Sequence, residues 1–269
     1  MKYPIFLDSL PKSGTHLLAK ALSGLPGIGH SGRHMDRKTI AEFVDKGVEF
    51  SLRGREDINI ERDYQWIERL LKSIPSGRFL TVHLNYHPEV HNALLQMNYK
   101  ILLMMRDPRD VVLSWADFMT KEKTHLLYPF FRQTDLDYRI MCGIQGVGSD
   151  VTQTRRQPSI AELISGHIKW KTLGGAFLVQ FEHLIGEKGG GSREIQQQAI
   201  QRLAEFFEIE CANTAVNHIC DNLFGGTHTF NSGLIGRWRE RFTDEHKALF
   251  KAHAGQFLID LGYEMDMDW

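Results

Sequence analysis

A short segment near the start of the chain combines the residue types that bind phosphate. Residues 12–15 (Lys-Ser-Gly-Thr) lie between the apolar run 3–9 and the helical pattern of 16–25. Gly14 lets the backbone approach a ligand, and the start of the following helix offers N–H groups and a positive dipole end to an anion. Because Lys12 adds a mobile charge, the segment predicts a phosphate cradle, although the lysine precedes the glycine and the Walker pattern is not matched. The alternative is an ordinary strand-to-helix turn with a surface lysine.

Arg106 and Ser114 form a second candidate anion site. Arg106 follows the apolar run 99–105, which is typical of a strand buried on both faces of a parallel sheet. Asp107 is suited to cap a helix that starts at Pro108, and Ser114 lies two helical turns further on the same face. A guanidinium grips phosphate oxygens in pairs, so these residues predict a second phosphate clamp. The alternative is a surface ion pair, either Arg106–Asp110 or Asp107–Arg109.

Apolar runs that predict strands alternate with patterns that predict helices. The strands are expected at 3–9, 78–84, 99–105 and 176–181, and the helices at 16–25, 109–119, 192–208 and 243–261. This alternation favours an α/β fold with an open parallel sheet flanked by helices. Ligands bind beyond the carboxyl ends of the strands in such folds, so we expect the loops 10–15, 83–88 and 106–108 to converge there.

Composition and charge exclude several classes of protein. The 269 residues carry a formal net charge of -1, which excludes the broad basic surface of a general nucleic-acid binder. No apolar run of about 18 residues is present, so we expect no membrane span. The three cysteines lack a C-x-x-C spacing, which argues against a zinc site and a disulfide framework. We therefore expect a cytoplasmic protein that works without a nucleic acid or a membrane.

One domain over residues 1–269 is predicted, because no repeat and no Pro- or Ser-rich linker divides the chain. Residues 119–170 fit the strand–helix alternation poorly and mix aromatic side chains with glycines. A long insertion of this kind is typical of a lid or a binding segment, or else of disorder. We interpret it as a helical or irregular insertion that binds the substrate. The triple glycine 189–191 is interpreted as a surface loop.

Taken together, Pro-Lys-Ser-Gly-Thr before a helix and Arg-Asp-Pro-Arg-Asp-Val-Val-Leu-Ser-Trp at 106–115 resemble the sulfotransferases that use 3'-phosphoadenosine 5'-phosphosulfate (PAPS). The resemblance implies a P-loop-like nucleotide-binding fold. It assigns the first segment to the 5'-phosphosulfate and the second to the 3'-phosphate. The residues thereby assigned to the nucleotide are Lys12, Ser13, Gly14, Thr15, His16, Leu17, Arg106, Ser114, Phe181, Asn231, Ser232, Gly233 and Arg237.

Three further stretches continue the resemblance in the same order along the chain. Thr81-Val82-His83 occupies the place of a Lys-Thr-His stretch whose histidine is catalytic, which implies that His83 is the general base. Phe181-Glu182-His183-Leu184 resembles the aromatic-Glu-x-Leu strand end near the adenine. Residues 233–243 resemble a late loop with a glycine and a tryptophan. The five matches span residues 10–243, nearly the whole chain.

Several positions depart from the family pattern. Asn231 and Ser232 stand where an Arg-Lys pair usually grips the 3'-phosphate. We hypothesise that Arg237 or Arg239 compensates in part, or else that binding is weaker. Leu17 replaces a tryptophan that packs on the adenine, and Phe181 replaces a tyrosine. Thr81 replaces the lysine that would stabilise the transferring group.

The resemblance implies that a hydroxyl or amine of a small, partly apolar acceptor attacks the sulfur of PAPS in line. His83 then takes the proton, and Lys12 stabilises the leaving 5'-phosphate without a metal. A metal site at His83, His87 and His91 is not expected, because Pro88 interrupts the run. Two alternatives stay open, a P-loop kinase that uses ATP and a non-catalytic binder of adenosine 3',5'-bisphosphate (PAP).

Overall fold

The described residues of the first part of the chain and of 177–180 form a five-stranded parallel sheet. The structure is a computed structural model that describes residues 2–46, 59–226 and 232–269. The strands are β1 (Ile5–Ser9), β2 (Gly29–Met35), β3 (Arg78–Val82), β4 (Lys100–Met105) and β5 (Phe177–Gln180). They lie in the order β2-β3-β1-β4-β5, and each neighbouring pair is parallel. The predicted open parallel sheet is therefore confirmed.

Helices follow most of the strands of this sheet in the chain. The helices before β4 are α1 (Thr15–Gly24), α2 (Arg37–Ala41), α3 (Ile60–Lys72) and α4 (Pro88–Gln96). Those between β4 and β5 are α5 (Pro108–Phe118), α6 (Tyr128–Phe131), α7 (Leu136–Gln145), α8 (Ser149–Thr152) and α9 (Ile160–Thr172). After β5 come α10 (Phe181–Leu184), a 3-10 turn at Glu187–Gly189, α11 (Arg193–Phe206), α12 (Asn213–Leu223), α13 (Trp238–Arg241) and α14 (Asp244–Asp260).

The chain divides into two compact units. The first contains the residues up to Met105 and His167–Gly233, and the second contains Arg106–Gly166 and Leu234–Trp269. One domain over residues 1–269 stays a prediction. Across the described ranges, no helix combines the length and the apolar character needed to cross a membrane.

The core of the first unit explains the unbroken apolar runs of its central strands. Every residue of β1 is buried, and β4 is buried from its second residue onward, as expected for strands covered on both faces. The predicted apolar face of α1 is also confirmed, since its buried residues are Leu17, Leu18, Ala21 and Leu22. Trp170 of α9 packs on Phe6 of β1, with 5.1 Å between ring centroids.

The second unit is built around a buried arginine. The guanidinium of Arg109 lies over the rings of Trp238 and Trp269, at 3.8 and 4.5 Å from their centroids. It also pairs with Asp107 at 2.8 Å and Glu264 at 2.5 Å. The predicted helix start at this point is confirmed, because the Asp107 carboxylate accepts the N–H of Arg109 and Pro108 opens α5.

Some elements differ from the sequence-based expectation. Phe181, predicted as the end of a strand, instead begins the short helix α10. β2 is not predicted, because its sequence Gly-His-Ser-Gly-Arg-His-Met lacks an apolar run. The segment 119–170 is largely helical, and its last helix, α9, belongs to the core at Trp170, which is fully buried. Its role in acceptor binding stays a prediction.

β2 carries a bulge relative to β3. His30 pairs with Phe79 and His34 with Thr81, so four residue steps on β2 span two steps on β3. Gly32 lies within the bulge with a φ of 80°, a conformation that glycine adopts without strain. A bulge re-aims the side chains beyond it. In this sheet the bulge brings His34 level with Thr81.

Candidate active site

The ends of β1 and β3 and the start of α1 meet through one serine. Ser9, the last residue of β1, places its Oγ 2.7 Å from the Thr15 hydroxyl and 3.1 Å from Nδ1 of His83. The predicted meeting of the loops 10–15 and 83–88 is therefore observed. The loop 106–108 belongs to the second unit, and its convergence with these loops stays a prediction.

The turn at 12–14 has a strained backbone that its neighbours hold in place. Lys12 has a φ of 68°, which is costly for a residue with a side chain and is typical of functional turns. Gly14 has a φ of 104°, and a Cβ at this position would lie only 2.6 Å from Cδ2 of Phe181. Phe181 therefore packs where any other residue at position 14 would place its side chain.

Ser13 and Leu17 face the protein interior. The Ser13 hydroxyl is fully buried and donates to the carbonyl of Met104 at 3.0 Å, which fixes the turn to β4. Its backbone N–H donates to the carbonyl of Leu10. Leu17 lies on the buried face of α1. In contrast, His16 is exposed in the first turn of α1, where helix amides point outward. The nucleotide contacts of these residues stay predictions.

His83 is held in one tautomer by the backbone of β1. Its Nδ1 donates to the Ser9 carbonyl at 2.7 Å, since a carbonyl can only accept, and its Nε2 therefore carries the lone pair. Protein atoms crowd the ring although more than a third of the residue is open to solvent. Burial lowers the pKa of His83 from 6.5 to about 3, against the hydrogen bond to Ser9, which raises it. The residue is a neutral base at pH 7.

A buried carboxylate fixes the backbone that follows His83. Asp8 of β1 is fully buried and accepts the N–H of Leu84 at 2.9 Å. Its other oxygen lies 2.7 Å from Nδ1 of His167 on α9. Asp8 thus connects β1, the turn after β3 and α9, and holds the backbone next to His83.

A second histidine lies beside His83. His34 of β2 places its Nδ1 2.9 Å from the hydroxyl of Thr81, and its ring centroid lies 5.3 Å from that of His83. Burial lowers the pKa of His34, while the nearby Asp36 carboxylate raises it. Two histidine rings and one hydroxyl thus lie together at the carboxyl ends of β2 and β3.

Within the second unit, Arg106 contacts the late loop of the chain. Its guanidinium donates to the carbonyl of Leu234 at 2.8 Å and lies 3.5 Å from the carboxylate of Asp110. The ion pair of the alternative interpretation therefore exists, but it is buried. Asp110 also accepts the N–H groups of Gly236 at 2.7 Å and Trp238 at 3.1 Å. Burial raises the pKa of Asp110, while Arg106 lowers it.

The other predicted nucleotide contacts have varied surroundings. Arg237 pairs with Asp117 of α5 at 3.0 Å, and the Arg239 guanidinium lies 4.8 Å from the ring centroid of Trp238. Ser114 is half-buried on α5. Ser232 and Gly233 are half-buried in the first unit. Asn231 lies outside the described residues.

The histidines at 83, 87 and 91 do not lie along one helix. Pro88 starts α4, so His87 precedes the helix, and His91 lies 3.2 Å from the hydroxyl of Tyr86. For the described part of the chain, no group of three or more His, Cys, Asp or Glu residues is arranged to hold a metal ion.

Sequence reasoning missed four residues that shape these sites. Asp8 and His34 give no local signal, because their partners lie far along the chain. Asp110 was noted only as an ion-pair partner. Gly189, interpreted as part of a surface loop, is buried, and a Cβ there would lie 2.6 Å from the carbonyl of Gly233. A glycine-rich loop in front of a helix could have signalled such a close backbone approach.

A comparison with known families identifies the class of protein. The chain matches the family model described as the sulfotransferase domain over residues 2–262. Because the match covers nearly the whole chain, the protein belongs to the sulfotransferase family. The predicted class of enzyme, a sulfotransferase, is confirmed. Among curated proteins, none matches the chain.

Solved structures share the fold at low sequence identity. The match to mouse sulfotransferase SULT7A1, complexed with PAP, covers 98% of this chain and 88% of the mouse protein, with 17% identity and a TM-score of 0.62. The match to retinol dehydratase in complex with androsterone and the inactive cofactor PAP covers 96% of this chain and 81% of that enzyme, with 17% identity and a TM-score of 0.59. For the same enzyme in complex with retinol and PAP, the match covers 97% of this chain and 82% of that enzyme, with 17% identity and a TM-score of 0.59. These similarities confirm the predicted α/β fold.

Proposed function

We propose that the protein transfers the sulfuryl group of PAPS to a hydroxyl or amine of a small, partly apolar acceptor. The observation that carries this proposal is the position of His83, whose Nδ1 is fixed by Ser9 beside the Thr15 hydroxyl. A base with a fixed lone pair thus lies next to the phosphate cradle of residues 12–15. The PAP bound to SULT7A1 and retinol dehydratase supports PAPS as the donor.

The proposed reaction is an in-line displacement at sulfur. The acceptor oxygen or nitrogen forms a bond to sulfur while the bond from sulfur to the 5'-phosphate oxygen breaks. The acceptor proton passes to Nε2 of His83, and the electron pair of the broken bond remains on PAP. Lys12 and the amides at the start of α1 stabilise the negative charge that grows on the leaving phosphate. The other proposed contacts of the first unit are Ser13, Gly14, Thr15, His16, Leu17, Phe181, Asn231, Ser232 and Gly233.

We propose that Arg106 and Ser114 of the second unit bind the 3'-phosphate. A guanidinium carries five N–H donors, so Arg106 can hold Leu234, Asp110 and a phosphate together. Arg237 is the proposed partial substitute for the Arg-Lys pair. To contact a phosphate it must exchange or share its carboxylate partner Asp117, so its compensation is weaker than that of an unpaired arginine.

The acceptor is proposed to be a small molecule that contacts residues 119–170. Retinol dehydratase, which shares the fold, is complexed with androsterone in one structure and retinol in another, and both ligands are small and mainly apolar. We also propose that residues 1–269 form one catalytic domain and that the protein works in the cytoplasm.

Ligand-dependent thermal stability tests the nucleotide. PAP at about 100 times its Kd should stabilise the folded protein by about 2.7 kcal/mol, and ATP with Mg²⁺ should not. The opposite result would contradict the proposal and favour a kinase.

Turnover of PAPS tests the catalytic role. We expect His83→Asn to lower kcat by about 10²–10⁴, the range for loss of a general base, with PAP affinity unchanged. His218→Asn, a change at an exposed histidine of α12, is the matched control. If the wild-type protein binds PAP but turns over no PAPS with a broad set of hydroxylated and amine acceptors, the protein is a non-catalytic PAP binder. The departures at Asn231 and Ser232 are the observation that favours that second candidate.

A further inference from the structure

The residue two positions before His83, near the end of β3, has no cationic side chain. Thr81, which precedes His83 by two residues, is 6% exposed and offers only a hydroxyl. That hydroxyl lies 2.9 Å from Nδ1 of His34. The titratable side chain next to Thr81 on the neighbouring strand β2 is therefore that of His34.

The bulge in β2 is what gives His34 this position. If β2 continued in the register set by His30 and Phe79, residue 32 would pair with Thr81. Residue 32 is a glycine with no side chain to offer. The two additional residues keep the alternation of faces and place an imidazole there instead. Bulges occur next to active sites because they re-aim side chains in this way.

The charged and titratable groups around His34 come from every neighbouring element. His30 and Asp36 flank it on β2 and at the start of α2, and His83, the residue that follows β3, packs against its ring. His16 from α1 and His167 from α9 act on His83 through their charges. Asp8 of β1 faces His167.

We infer that His34 is a second catalytic residue of the proposed transfer, which takes up a proton when PAPS binds and then holds the sulfuryl oxygens with its positive charge. This inference rests on the proposed function. The proton comes from solvent and returns to solvent when the sulfated product and PAP leave, so the net reaction is unchanged. His83 stays the base that receives the acceptor proton.

The electrostatics of the pair explain the division of roles. Burial lowers the pKa of both rings, and the charge of His34 lowers that of His83 further. Both are therefore neutral in the free protein at pH 7. An anion placed against the pair raises the pKa of the ring that contacts it. Asp36 already favours the charged form of His34, and protonated His34 in turn keeps His83 neutral and able to accept a proton.

The pH profile of kcat/KM is the first test. In the wild-type protein we expect kcat/KM to fall as the pH rises, because His34 can no longer hold its proton. His34→Gln should lower kcat/KM by about 10- to 100-fold at pH 6, the effect of one hydrogen bond to a charged group, and should remove the alkaline decline. An equal loss at every pH, or an unchanged alkaline decline, would overturn the inference.

Two further variants separate charge from packing. His34→Lys should recover much of the activity at pH 6 and move the alkaline decline to higher pH, because lysine holds its proton to about pH 10.4 in water. His30→Gln is the matched control on the same strand, since His30 packs on Phe79 and lies before the bulge. We expect it to keep the wild-type profile. Activity in His34→Lys no higher than in His34→Gln at pH 6 would contradict a role through charge.

Proton uptake on binding gives a readout without turnover. Calorimetric titrations in buffers of different ionisation enthalpy should show that wild-type protein takes up more protons with PAPS than with PAP. His34→Gln should show no such difference, and the same uptake in both proteins would overturn the inference. If wild-type protein binds neither nucleotide, it is the proposed function that fails. If it binds both and turns over PAPS while His34→Gln behaves like wild type, the inference alone fails.

Discussion

At the scale of the residue, the packing of Phe181 against Gly14 limits which residue the turn at 12–14 can contain. Gly14 has a φ of 104°, and Cδ2 of Phe181 fills the space that a side chain at position 14 would need. The backbone conformation and the space are separate requirements, and glycine satisfies both. The adenine contact of Phe181 stays a prediction, whereas its packing against Gly14 determines which residue position 14 accepts.

We expect Gly14→Ala to destabilise the protein more than a strained backbone alone does. Gly27→Ala is the matched control, because Gly27 has a φ of 76° with nothing within 4 Å of an added Cβ. The control should cost about 1–2 kcal/mol for the left-handed conformation, and overpacking at Gly14 should add about 1–3 kcal/mol. Urea unfolding of both variants measures the difference. Equal losses of unfolding free energy would show that Phe181 yields without cost.

Residue types alone predicted part of the site. Lys12, Gly14 and His83 are predicted as site residues because their chemistry is tied to a local pattern, a turn before a helix or a strand end. His34 and Asp8 could not be found, because their roles depend on register and on partners more than 40 residues away. Such contacts follow from the sheet order, which the sequence pattern does not determine.

At the scale of the element, α5 supports the late loop through one carboxylate. Asp110 accepts the N–H groups of Gly236 and Trp238 and contacts Arg106. Burial raises the pKa of this carboxyl, yet the surrounding donors all favour its ionised form. The helix thus uses one buried charge to fix the residues on both sides of Arg237.

We expect Asp110→Asn to lower the free energy of unfolding by about 1.5–3 kcal/mol, the contribution of hydrogen bonds to a charged group. Asp117→Asn on the same helix is the control, because its pair with Arg237 is about one-fifth exposed on each side and contributes about 0–1 kcal/mol. Chemical unfolding followed by circular dichroism gives both values. If Asp117→Asn lowers the free energy of unfolding as much as Asp110→Asn does, the effect comes from changing a carboxylate on α5 and not from losing the contact with the late loop.

The strands and helices differ in how well their sequences predict them. β1 and β4 are covered on both faces, so their apolar runs are unbroken and easily recognised. The Asp107-Pro108 pair marks the start of α5. β2 is an outer strand with partly exposed polar residues, and half of its pairing is displaced by the bulge, so no alternation of polar and apolar residues marks it.

At the scale of the whole molecule, four histidines whose pKa is lowered in the folded state make stability depend on pH. Burial lowers the pKa of His30, His34, His83 and His183. Below about pH 6.5 the unfolded chain binds protons at these sites that the folded chain does not. The unfolded state then holds more protons, so the free energy of unfolding rises with pH. The stabilisation is complete above pH 6.5 and is lost as the pH falls toward 3, the folded pKa of His83.

We expect the melting temperature of the wild-type protein to fall steeply between pH 6.5 and 4, and that of His83→Asn to fall less steeply. The variant has lost the most strongly shifted of these groups. Scanning calorimetry across this range gives both slopes, and His218→Asn should keep the wild-type slope. Parallel curves for wild type and His83→Asn would show that His83 is protonated equally in the folded and unfolded states.

The bulge of β2 also protects the molecule from self-association. Among the described strands β2 is an outer one, and a straight outer strand presents a row of N–H and C=O groups on which another chain can add a strand. At residues 31–33 this row is interrupted, and Gly32 turns the backbone away from the flat geometry that cross-β stacking requires. The irregularity that places His34 therefore also makes the open side of the sheet a poor template for fibril growth.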